Sequence, residues 1–298
     1  MKFELDSDQR SFVAALDDLL RDADTPSVIR SWARGEHEPG LALWKRLAGL
    51  GVTSLTQPDS GATPVDLVVA FEALGRHAVP GPWIESAAYL PVALRTDLSE
   101  EMATVALPPY VPYAVDADVA TRVYLGEHTA ARGEAVESID PGRRLFQVEP
   151  IQPGAEPTLQ PAAFSAAVLA CSAMLLGLGE RMLDDSVAYA KQRSQFGRPI
   201  GANQAIKHAL ADVRIALDFA RPLLHGAALG DVPASAAKVT CGDAAALAAR
   251  TALQVHGAIG YTAELDLSLW LLRTRALVSA WGTSSFHRSR LLAGLTRE

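Results

Sequence analysis

Tyr189-Ala-Lys-Gln-Arg-Ser-Gln-Phe-Gly-Arg-Pro-Ile200 is the stretch around which the chain is organised. It closes one helical segment at Arg193, turns at Phe196-Gly197, and leads into a second long helix expected over Asn203 to Leu229. That second segment sets Ile206, Leu210, Val213, Leu217, Ala220 and Leu224 on one face, at the three- and four-residue spacing of an amphipathic helix. Pro222 should kink or split its last turns, because proline removes a backbone donor and crowds the preceding turn.

Working outward, Pro233 suits the first turn of a further helix running to about His256. Leu265 to Ala280 makes another, and Thr283 is a plausible N-cap for a last one. Before the opening stretch lies the longest apolar run, Ala162 to Leu178, broken by Ser165, Ser172 and Gly177. It falls short of the ~20 strongly apolar residues a membrane span needs, so it reads as a helix buried in a bundle.

The N-terminal part is also helical. Phe12, Leu16, Leu19 and Leu20, then Leu43, Leu47 and Leu50, recur at helical spacing, and Gly51 closes the second group. A third helix is expected from Pro64 to Arg76, stopped by Val79-Pro80-Gly81-Pro82. Between Tyr89 and Pro161 the texture changes. Nine of the eighteen prolines fall between Pro91 and Pro161, and short β-prone pieces (Ala103 to Leu107, Val119 to Leu125, Arg144 to Val148) lie between turns. The expected class is mainly α with a small β domain of six or seven strands. The expected domains are 1–88 (helical), 89–161 (reduced β) and 162–298 (helical bundle).

Hydrophobic residues make up 49% of the 298, enough for a sizeable core, and the net charge of -7 with no basic stripe argues against nucleic acid. Cys171 and Cys241 read as small buried residues, not as a disulfide or metal pair. No secretory signal is visible at the start, and a soluble, cytoplasmic chain is expected.

Two further segments complete the pattern: Gln254-Val-His-Gly-Ala-Ile-Gly-Tyr261 with Glu264 beyond it, and Trp281-Gly282-Thr283. With the opening stretch, Asn203-Gln204 and Lys207-His208-Ala-Leu-Ala-Asp212, they resemble the C-terminal domain of the acyl-CoA dehydrogenase family. Leu43-Trp44-Lys-Arg-Leu-Ala-Gly-Leu-Gly51, Phe71-Glu-Ala-Leu-Gly-Arg76 and Pro80-Gly81-Pro82 are similar to that family's first helical domain. The resemblance is weakest between Tyr89 and Pro161. It implies the family's three-part fold, FAD as cofactor, and α,β-dehydrogenation of an acyl-CoA thioester with electron-transferring flavoprotein as acceptor.

By the same resemblance Arg193 and Phe196 hold the dinucleotide half of an FAD bound in a neighbouring subunit. Arginine's planar, permanently charged fork suits a pyrophosphate. Gln254, Gly257 and Gly260 are implied to reach the same neighbour, glycine allowing backbone to approach a ligand, although Ala258 stands where the family often has another glycine. Thr283 is the implied contact to the chain's own flavin. Taken alone, Arg193 also reads as a surface arginine, and Gly257 and Gly260 as helix terminators. His256 and Glu264 are expected to be structural.

The family's catalytic carboxylate is missing. The alignment places Trp281 at one of its two usual positions and Ala167 at the other, and indole nitrogen has no basic lone pair. A Thr-Glu-Pro-x-Ala-Gly-Ser-Asp-like flavin loop is absent, and Ser285 replaces a glutamine that often touches the ring. No catalytic residue and no metal ligand is therefore expected. The pattern resembles the non-catalytic half of unequal α2β2 pairs in actinobacterial steroid degradation, heterotetramers in which a partner subunit supplies the base and the flavin ring. Two alternatives are a self-sufficient dehydrogenase using Asp184, Asp185 or Asp266 as a relocated base, and a flavin-free scaffold.

Overall fold

The computed structural model describes residues 4–152, 154 and 157–296. The chain starts with α1 (Ser7–Asp22), closed at its N-terminus by a reciprocal cap in which Asp6 accepts from Gln9 N at 2.8 Å and Gln9 accepts from Asp6 N at 3.2 Å. Helices α2 (Thr25–Ala33) and α3 (Glu38–Gly49) follow, burying Val28, Ile29, Trp32, Leu43 and Leu47. Gly51, at φ 89°, reverses the chain after α3 in a conformation that disfavours any residue with a Cβ.

Helix α4 (Pro64–Arg76) has the expected bounds, with Pro64 at its first turn and a second reciprocal cap between Thr63 and Asp66. It packs on the long helix α6 (Pro161–Gln192) through two glycines. A Cβ on Gly177 would lie 2.0 Å from the Glu72 carbonyl oxygen, and one on Gly75 would lie 2.1 Å from the Met174 oxygen. Only bare backbone fits there.

Helical structure continues past the breaker string as a π-turn, Glu85–Tyr89, and the short α5 (Leu90–Leu94). Five strands then form one sheet: β1 (Ala103–Ala106), β2 (Ala114–Val115), β3 (Arg122–Leu125), β4 (His128–Val136) and β5 (Leu145–Pro150), in the order β1-β3-β4-β5-β2. β1 and β3 run parallel, and the other pairs are antiparallel. Five strands are described where six or seven were expected, and β3 begins at Arg122 instead of Val119 because residues after Asp116 form a turn.

The sheet has only a small core of its own, around Ala114, Ala117, Val123 and Phe146. Buried polar ties fix it to the helices. Asp116 accepts from Trp32 Nε1 at 2.9 Å and from Arg144 N at 3.1 Å. Arg273, 2% exposed, bonds Asp140 and donates to the carbonyls of Ala78, Val79 and Gly142. One guanidinium thus joins all three parts of the chain.

The C-terminal part comprises α6 (Pro161–Gln192), α7 (Gln204–Ala228), α8 (Ala234–His256), α9 (Leu267–Ser279) and α10 (Ser284–Leu295), with a two-strand hairpin, β6 (Ser194–Gln195) and β7 (Arg198–Pro199), between α6 and α7. Helix α6 is long and apolar enough to cross a membrane but is mostly buried within the fold. Helix α7 runs unbroken through Pro222, so of the expected kink or split the split does not occur. Pro222 lies exposed on the solvent side one turn after exposed Asp218, whose carbonyl it cannot serve and water can.

Candidate functional site

The implied neighbour-facing residues gather at one end of the bundle. In the hairpin, Phe196 (φ 52°) and Gly197 (φ 79°) are both left-handed, the twist two-residue hairpins prefer. Left-handed backbone costs an L-residue roughly 1–2 kcal/mol, and the Phe196 ring is fully exposed (102%). The base is held by Ile200 N donating to Arg193 O and Arg193 N donating to Tyr189 O, both 2.8 Å. Arg198, which the motif reading did not single out, bonds Asn203 at 2.8 Å. The exposed Arg193 guanidinium has no hydrogen bond or ion pair among the described residues.

Helix α8 ends beside this hairpin. Tyr189, one turn before Arg193, stacks on His256 with ring centroids 4.3 Å apart. His256 is buried and its Nδ1 lies 2.8 Å from the Ala252 oxygen, so the imidazole is a spacer between helices. Gln254, two residues earlier, is exposed. Gly257 caps α8 at φ 63°, with open space where a Cβ would be. Gly260 differs. It is buried, and a Cβ there would meet Leu253 and His256 at 3.2 Å, so its smallness serves packing inside the chain. Glu264 is exposed.

Thr283 stands apart from this group. It caps α10, accepting from Phe286 N at 3.2 Å. Just before it, Trp281 (φ 58°, 0% exposed) is sealed in an aromatic cluster, 5.1 Å from Tyr89 and 6.2 Å from Phe164 between centroids. Ala167 is equally buried. His287, which burial pushes down to about 4 and so keeps neutral at physiological pH, holds the Trp281 carbonyl from Nε2 at 2.9 Å and meets Ser235 Oγ at Nδ1. Lys238, 2% exposed, donates to the carbonyls of Leu277, Val278 and Gly282 at 3.1–3.2 Å, neutralising the end of α9.

The family model for the acyl-CoA dehydrogenase C-terminal domain matches residues 160–296. A protein of Mycolicibacterium smegmatis named acyl-CoA dehydrogenase IpdE2 is 32% identical over 95% of the chain and 96% of its own length. The chain belongs to the acyl-CoA dehydrogenase family. Its fold is that of the ChsE4-ChsE5 complex from Mycobacterium tuberculosis (TM-score 0.84, 20% identity, all of both chains) and of a variant of the Tcur3481-Tcur3483 steroid acyl-CoA dehydrogenase (TM-score 0.82, 19% identity, 97% of this chain and 98% of that one). Membership implies an oxidoreductase role with FAD.

Among the residues that sequence reasoning missed, Glu85 is the most unusual. This carboxylate sits on the π-turn, 2% exposed, and burial drives its pKa upward against the opposing pull of Arg143. The available signal was an acid within the apolar run Trp83-Ile84-Glu85-Ser86-Ala87-Ala88-Tyr89.

Proposed function

We propose that this chain is the non-catalytic subunit of a heteromeric acyl-CoA dehydrogenase, and that its Arg193–Gly260 end completes the FAD site of a catalytic partner. The carrying observation is a contrast. Phe196 stands fully exposed on a strained turn beside an Arg193 that is unpaired among the described residues, whereas Trp281 and Ala167, at the positions of the family's base, are sealed in the core. A free chain gains nothing from an exposed ring held at positive φ, and a neighbour would bury it.

FAD, when bound, supplies the hydride acceptor for α,β-dehydrogenation. The Arg193 fork would bind a phosphate group, the Phe196 ring would cover the dinucleotide, and the Gln254 amide would donate one turn before the open backbone at Gly257. The aromatic seal around Trp281 would keep substrate out of this subunit. Protons would therefore be taken up on the partner, and electrons would leave to an electron-transferring flavoprotein. The steroid acyl-CoA dehydrogenase among the structural neighbours supports a steroid-derived acyl-CoA as substrate, and the two-component make-up of both neighbours supports a heteromeric assembly, α2β2 in this reading.

A relocated base within this chain draws no support from the candidates. Asp184 pairs with Arg76, Asp185 with Arg181 at 2.8 Å and Asp266 with Arg30 at 2.6 Å. The test is turnover. The chain alone should oxidise no acyl-CoA with a dye acceptor, and co-expression with the product of an adjacent reading frame should restore oxidation. Turnover by the isolated chain would refute the proposal.

A further inference from the structure

A cleft of about 380 Å³ opens between the sheet's loops and the start of α10, with Tyr110, Tyr113, Ile139, Arg143, Ala280 and Thr283 in its wall. Arg143 is 8% exposed, yet among the described residues its guanidinium makes no hydrogen bond. Its one ion pair there is with Glu85 at 3.8 Å, beyond hydrogen-bond reach. An arginine carries five N–H donors, and none of those of Arg143 is sealed from solvent, so they front the cleft without a protein acceptor among the described residues. Arg273, by comparison, is buried to a similar degree and fully engaged.

Glu85 competes poorly for Arg143. Its Oε1 is buried without a hydrogen bond, and burial favours its uncharged form. A second source of positive potential adjoins the cleft. Thr283 starts α10, whose first amides have no intrahelical acceptor, and the helix dipole places partial positive charge there. The remaining wall is mostly aromatic and aliphatic, with Ser138 and Ser279 among it. Its volume lies near the small end of ligand sites, which run from about 300 to 1,000 Å³, and admits a ring system but not a dinucleotide.

We propose that this cleft binds a small planar carboxylate with an apolar ring body, the carboxylate on Arg143 and the ring against Tyr110 and Tyr113. The guanidinium fork matches a carboxylate in two parallel bonds. Inorganic phosphate would satisfy Arg143 but leave the tyrosine walls wet. The wall described is drawn from this chain, and it takes in Thr283, the residue that the family resemblance assigns to a flavin contact.

The test is calorimetric titration of the full chain with 1-naphthoate. Saturable one-to-one binding is expected, with 1-naphthalenemethanol and inorganic phosphate at least tenfold weaker. Arg143→Gln should lower naphthoate affinity tenfold or more, and Arg143→Lys should fall between it and the parent. Because Arg143→Gln strands Glu85, the double variant Arg143→Met with Glu85→Gln is titrated too, after a melting curve confirms folding. Naphthoate binding no better than the alcohol's, retention of parental affinity by the folded double variant, or displacement of naphthoate by FAD would each overturn the proposal.

Discussion

Phe196→Gly should act in opposite directions on the chain and on its complex. In the free chain the ring is fully exposed and the backbone left-handed at φ 52°. Glycine removes a strain of roughly 1–2 kcal/mol and adds back roughly 0.5–1 kcal/mol of chain entropy. The isolated chain should therefore be unchanged or up to about 1.5 kcal/mol more stable, a rise of a few degrees at most in melting temperature. In the complex, a buried phenylalanine side chain is worth about 1.5–3 kcal/mol, so FAD should be held roughly ten- to a hundredfold more weakly. Differential scanning fluorimetry reads the first effect. Fluorescence of FAD released on dilution of the complex reads the second. If the variant melts clearly lower than the parent, or the complex keeps FAD within twofold of it, the assignment of Phe196 to the neighbour's cofactor is wrong.

Gly177→Ala should cost about 3 kcal/mol or more, since its Cβ would sit 2.0 Å from a backbone oxygen of α4. Gly49→Ala, exposed in α3 with open space around it, should stabilise by about 0.5–1 kcal/mol, and urea unfolding of both checks the pair. Stability should also fall as pH drops from 6.5 towards 4. His287 binds its proton at about 4 when folded, against an ordinary 6.5, so the unfolded chain takes up the proton first. As much as roughly 3 kcal/mol is lost across that window and nothing further from this group below it. His287→Gln should flatten the pH profile there, and an unaltered slope would contradict the buried neutral imidazole.

How far these features could be read from sequence depends on how local their causes are. Helix α4 was legible to the residue because Thr63, Pro64, the apolar spacing and Val79-Pro80-Gly81-Pro82 all act within one segment. Strand β4 was not. His128-Thr-Ala-Ala-Arg-Gly-Glu-Ala-Val136 has little intrinsic strand preference, and its ladder to β5, with an irregularity between Arg132 and Ala135, supplies the order. The candidate site divides in the same way. Phe196-Gly197 announced a turn on its own, but the stack of Tyr189 on His256 joins residues far apart in the chain, and no local pattern signals it. Arg143 carried no motif at all. Its isolation arises only when the π-turn, the sheet loops and α10 close around it.

The flavin content of the assembled protein decides whether this chain serves only a neighbour's cofactor. The complex of this chain with its catalytic partner, purified to constant composition, is denatured, and released FAD is counted against each subunit by absorbance and quantitative mass spectrometry. About one FAD for each pair of unlike subunits is expected. Two per pair would mean that this chain cradles a flavin of its own, and the claim that it serves only its neighbour's would fall.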